Sequence, residues 1–167
     1  MNNKDDNINE LYPIVFIFRE KRYFTLWYTS DVDGFILNEK KNKIKTFDNK
    51  AELDVYISEN GYNLNNVMTE IQCDNQNILN KSDINCNSIL TFWNIVSDIA
   101  NSLNVYFIGN CNYEKITSIY NKLFYGCNLP AIRKGGDEYI PDWTQKEIET
   151  LGVVIENCLN ILLKYLI

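Results

Sequence analysis

Residues 11–29 read LYPIVFIFREKRYFTLWYT, and this stretch decides the fold. Its two runs, Leu11 to Arg19 and Arg22 to Thr29, are rich in aromatic and β-branched side chains, which pack well on a pleated surface. The charged pair Glu20-Lys21 lies between them and predicts the turn of an antiparallel hairpin. The first run is almost continuously apolar, which predicts a strand covered on both faces.

Working outward, Asp33-Gly34 is a two-residue turn signal, with Phe35 to Asn38 as the returning strand. Lys40 to Lys43 predict a further turn and Ile44 to Phe47 a further short strand. In the next segment, FDNKAELDVYISENGYNL, Asp48 or Asn49 can cap a helix, with Glu52 at capping-box spacing from Asn49. Leu53, Tyr56 and Ile57 form its apolar stripe, and Gly61 is its stop. Val67 to Cys73 predict another strand. Residues 74–83 read as a polar loop and residues 1–10 as a frayed terminus.

The second half is helical. Asn87 to Leu103 carries apolar residues at 89, 90, 92, 93, 96, 99, 100 and 103, a broad helical face. Val105 to Ile108 is short and β-like, and Asn112 to Tyr125 is helical with Gly126 as its stop. Thr144 and Glu147 form a second capping box, opening a helix that runs to about Leu166. In the connector before it, Leu129, Ile132, Tyr139, Ile140 and Trp143 are expected to pack down, while Pro130 and Pro141 fix the chain's direction. Only RKGGDE (133–138) is expected to be an exposed tip. Strands first and helices after them predict one α+β domain over residues 1–167, an N-terminal antiparallel β-meander packed against C-terminal helices.

Composition limits the chemistry. The chain has 167 residues, 46% of them apolar, enough for a sizeable core without disulfides or metals. No apolar run reaches the roughly 18 residues of a membrane span, and the polar N-terminus is unlike a signal peptide, so a soluble cytoplasmic protein is expected. Five cysteines, at 73, 86, 111, 127 and 158, form no C-x-x-C pair and read as reduced, buried hydrophobes. Histidine is absent, which removes the commonest general base and the commonest metal ligand. No cofactor is indicated. The net charge of −6 disfavours direct nucleic-acid binding and suits a basic protein partner. The 25 asparagines look like coding bias and say little about chemistry.

Three local features suggest chemistry, and each has a plainer reading. TSDVDG (29–34) offers Asp31 and Asp33 at calcium-loop spacing, but Thr29 and Lys40 fall where ligands belong, so a hairpin turn explains it better. RKGGDE has a Gly-Gly pair able to form an anion nest, yet lacks a phosphate-loop motif and carries its own acids. Asp98, four residues after Asn94 in an apolar helix, is the best carboxylate for acid–base work, although a buried Asp or Asn there more often ties down neighbouring backbone than catalyses. A small carboxylate-dependent enzyme using Asp98 or the 133–138 loop, or a generic regulatory binding domain, are the alternatives left open.

The strings WNIVSDIANSL (93–103), YNKLFYGCNLPAI (120–132) and EYIPDW (138–143) resemble a family of bacterial immunity proteins. These are the CdiI-type partners of contact-dependent growth-inhibition and related polymorphic toxins. KTFDNKAELDVYISENGYNL (45–64) is similar to the strand–helix pattern of that family. The resemblance implies a non-enzymatic cytoplasmic protein that binds one cognate toxin C-terminal domain and occludes its active site or substrate path. It implies a basic nuclease as partner, of EndoU or RNase A-like type, with no membrane and no direct nucleic-acid contact. The interface expected on that reading uses exposed acids and aromatics: Tyr28, Asp31, Asp33 and Glu39 of the meander, and Asp137 and Glu138 of the loop.

Overall fold

A computed structural model describes residues 10–38, 40–73, 84–133 and 136–167. The frayed terminus expected over residues 1–10 falls, apart from Glu10, outside the described residues, as do Glu39 and the loop expected at 74–83. The chain adopts the expected α+β class, with its sheet near the N-terminus and three of four helices in the second half. It divides into two compact units, the first holding residues 1–74, 98–105 and 161–167, the second 75–97 and 106–160.

The first unit is built on strands β1 (Glu10–Phe18) and β2 (Lys21–Thr29), paired antiparallel in the register Phe18↔Lys21 to Glu10↔Thr29. The turn is therefore Arg19-Glu20, one residue earlier than expected. Both residues have positive φ, 48° and 64°. The mirror-image turn matches the right-handed twist of the strands and outweighs the cost of left-handed non-glycine residues. Strand β1 is central and buried from Pro13 to Phe16, in keeping with its apolar run.

The sheet has the order β3-β2-β1-β6, where β3 is Gly34–Phe35 and β6 is Thr69–Gln72. The last of these pairs with β1 in parallel, so the sheet is mixed where a meander alone would be antiparallel. The parallel register opens at Ile14↔Thr69, one residue after Pro13, whose nitrogen can donate no ladder bond. The returning strand is split, because after Ile36 the chain enters a small second sheet of β4 (Leu37–Asn38) and β5 (Lys43–Ile44).

Helix α1 (Lys50–Asn60) begins and ends where its local signals place it. Asn49 Oδ1 accepts the Glu52 N–H at 3.0 Å while Glu52 accepts the Asp48 N–H at 3.2 Å. Gly61 closes the helix at φ 66°. Leu53 and Ile57 of α1 join Leu11, Val15, Phe24, Leu26, Ile36 and Phe47 in one buried cluster.

Helices α2 (Cys86–Leu103) and α4 (Gln145–Tyr165) contribute residues to both units, and α3 (Glu114–Gly126) belongs to the second. In the second unit Trp93 is almost fully buried and meets Phe107 and Tyr120 edge-on at 6.2 and 5.6 Å. The expected strand Val105–Ile108 is absent, and a 3-10 turn at Ile108–Asn110 follows the buried Phe107. Asn157 of α4 accepts the Ile108 N–H at 2.9 Å, giving that backbone a side-chain partner where a strand would have offered a carbonyl. Gly126 is not a left-handed stop. It is the last helical residue, and a Cβ there would lie 2.5 Å from Cys86 Sγ and 2.7 Å from Pro141 Cγ. The left-handed residue is Asn128, at φ 50°, and its side chain exchanges two hydrogen bonds with Tyr139.

The connector also differs from expectation. Only Trp143 is buried; Leu129, Ile132, Tyr139 and Ile140 are exposed, Ile140 by 83%. The two Tyr139 bonds fix the segment by its backbone, so its apolar side chains need not be buried to order it.

Candidate interaction surface

In the first unit the chain leaves β2 at Thr29 and re-enters the sheet at Gly34, which stands opposite Tyr28. The four residues between them are closed by side chains. Ser30 N–H donates to Asp33 Oδ1 at 3.3 Å, and Ser30 Oγ donates to the Val32 carbonyl at 2.6 Å. Asp33-Gly34 is thus not the two-residue turn expected from sequence. Gly34 is required for room, because a Cβ there would lie 2.7 Å from both Tyr28 Oη and Ser102 Oγ.

This turn borders an open cleft of about 540 Å³. Tyr28, Asp31 and Asp33, three of the six residues singled out from the sequence, line it. So do Tyr56 and Asn60 of α1, Tyr62 beyond its cap, and Asn101 near the end of α2. Val32, between the two acids, is 70% exposed. The tyrosine rings form a short series: Phe47 to Tyr56 is 5.2 Å between centroids, and Tyr56 to Tyr62 is 6.1 Å. Lys45 Nζ lies 4.6 Å from the Tyr56 ring centre, a cation already held by one of these rings. Among the described residues neither Asp31 nor Asp33 forms an ion pair.

A second group of acids stands at the same end of β1 and β2. Glu10 accepts the Tyr12 hydroxyl at 2.6 Å, which together with burial raises the Tyr12 pKa above 10.0. Tyr12 meets Trp27 edge-on at 5.3 Å, and the Trp27 indole N–H donates to Asp98 Oδ2 at 2.9 Å. Burial pushes the Asp98 carboxyl above its usual 3.8; the indole bond opposes this, and Asp33 adds a smaller push upward. Asp98 is therefore tied to a side chain, not to the backbone. Its partner in the sequence reading, Asn94, accepts from Tyr120 at 3.1 Å in the second unit. Ser102 Oγ completes the join between α2 and the sheet by accepting the Phe35 N–H at 2.9 Å.

Asp137 and Glu138 belong to the second unit, where both are exposed. Asp137 borders a groove of about 240 Å³ together with Tyr125, Leu129, Ile132 and Tyr139, and Glu138 reaches Arg133 at 3.4 Å. Glu39 lies outside the described residues. Of the loop's proposed Gly-Gly nest only Gly136 lies within the described residues. Among the described residues no three His, Cys, Asp or Glu side chains gather as metal donors, and no helix is long and apolar enough to cross a membrane.

Sequence reasoning missed Tyr56 and Tyr62 as members of the cleft. Tyr56 reads as part of an apolar stripe, and it is half-buried against Phe47 with one side toward the opening. Its position three residues after Leu53 is the same for a core residue and a rim residue, so the pattern carried no signal for the distinction. No protein-family model matches this chain, and no curated protein or solved structure is significantly similar to it.

Proposed function

We propose that the chain is an immunity protein that neutralises a basic toxin domain, a nuclease, by stoichiometric occlusion. The observation that carries this reading is the tyrosine-lined cleft of the first unit, bordered by Asp31, exposed Val32 and Asp33, with no Lys or Arg among the described residues of its lining. Aromatic side chains beside a desolvatable apolar residue and unpaired acids are what a protein interface uses for anchoring and steering. A nuclease must offer a cationic surface to its nucleic acid, and an acidic inhibitor competes for it. The net charge of −6 and the resemblance of residues 93–143 to CdiI-type proteins support the same reading.

Co-expression tests it. The reading predicts a toxin domain encoded beside this chain; a cell producing that domain is expected to grow when the chain is present and to stop growing when Asp31→Lys and Asp33→Lys are combined. Equal protection by the doubly reversed chain would remove this face from the interface, and no protection by the native chain would refute the immunity role.

A further inference from the structure

We propose that the cleft of the first unit is a receptor for one arginine side chain of the partner. This deepens the interface reading above and rests on it. The cavity, not the acids alone, carries the inference. Among the described residues its lining joins three tyrosines to two aspartates and includes no cation, so a cationic group is the complementary occupant. The ring system already binds a cation: Lys45 Nζ stands 4.6 Å from the Tyr56 centre and 5.6 Å from that of Phe47. Electron-rich ring faces attract ammonium and guanidinium groups alike. Asn60, also in the lining, commits its Nδ2 to the Tyr56 carbonyl at 2.7 Å, which leaves its side-chain oxygen to accept from a donor.

Arginine fits this lining better than lysine. A guanidinium is planar, stacks on aromatic rings, and presents several fixed donors that can engage two carboxylates at once. Asp31 and Asp33 are two residues apart on one loop and offer that pair of acceptors. A lysine ammonium is a strongly hydrated point charge and gains less from the rings.

The test uses the full isotope-labelled chain and three short capped peptides, Gly-Arg-Gly, Gly-Lys-Gly and Gly-citrulline-Gly, followed by amide shifts. The arginine peptide is expected to move the resonances of Tyr28, Val32, Tyr56 and Asn101, the lysine peptide to do so more weakly, and the uncharged citrulline peptide not at all. Asp31→Asn combined with Asp33→Asn keeps the Oδ1 acceptor that closes the Ser30 turn and is expected to weaken arginine binding about tenfold. Tyr62→Leu, outside that turn, is expected to weaken it as well. Lys45→Met removes a neighbouring like charge and leaves the affinity equal or higher. Equal shifts from arginine and citrulline, shifts spread over acids such as Glu156, or weaker binding on Lys45→Met would each overturn the proposal. If the peptide fails to bind while co-expression still protects cells, the arginine receptor falls and the immunity role stands. If the peptide binds and protection fails, the reverse holds.

Discussion

At the scale of single residues, the carboxylates show how position decides behaviour. Asp98 is pushed above its usual pKa by burial, and its folded form therefore holds a proton more tightly than its unfolded form. The sign follows directly: its contribution to stability is fully present below the unfolded value and is lost as pH rises through the raised one. Asp98→Asn is expected to abolish that loss while keeping an acceptor for Trp27, so its stability relative to the native chain should improve as pH rises from 4 to 7. Asp98→Ala removes the acceptor for the indole N–H and is expected to cost about 1–2 kcal/mol by chemical denaturation. Glu147 behaves oppositely. The Lys122 ammonium, 2.6 Å away, holds its pKa at about 2, so its contribution is present above 4.5 and is lost as pH falls toward 2. Lys122→Met is expected to destabilise the chain at pH 7 by about 1–2 kcal/mol, allowing for partial solvent screening, with the ion-pair part of the difference fading as pH falls toward 2 and the part from the lost Asp142 carbonyl bond remaining.

At the scale of elements, what was legible in the sequence was local. Both capping boxes, Asn49 with Glu52 and Thr144 with Glu147, span three residues, and Glu147 accepts the Thr144 N–H at 2.8 Å as the spacing implies. The paired runs of β1 and β2 were legible for the same reason. Strand β6 was legible as a strand within Val67–Cys73, but its parallel pairing was not, because its partner lies more than fifty residues earlier and no local pattern encodes which edge it joins. Glycines were legible as breaks but not as contacts: Gly61 is a true left-handed cap, whereas Gly34 and Gly126 are present for space. Gly126→Ala is therefore expected to destabilise by about 1–3 kcal/mol, since the Pro141 ring cannot swing aside. Arg19→Asn with Glu20→Gly, placed in a turn that requires two positive φ angles, is expected to raise stability by about 1 kcal/mol. A thermal melt of each variant checks both.

At the scale of the molecule, an overall charge of −6 conceals a polarity within the first unit. Arg19, Lys21 and Arg22 lie toward the tip of the β1–β2 hairpin, with Glu20 among them and Glu70 paired to Arg22, while the register Glu10↔Thr29 places Glu10, Asp31 and Asp33 toward its opposite end. Such a division orients a basic partner before contact and raises its association rate. The sequence pointed to Asp31, Asp33 and Tyr28 because an acidic turn after an aromatic strand is visible in one dimension. It could not supply Tyr56, Tyr62 and Asn101, which reach the same cleft from two helices and a loop. On the proposed function, the acids would direct the encounter and the tyrosines would hold the complex. The measurement that tests this most directly is the association rate between the chain and the proposed toxin domain as a function of salt. A rapid 1:1 association that slows steeply as salt rises, and loses most of that dependence when Asp31→Lys and Asp33→Lys are combined, is the predicted result. No complex at micromolar concentration, or an association rate indifferent to both salt and charge reversal, would contradict it.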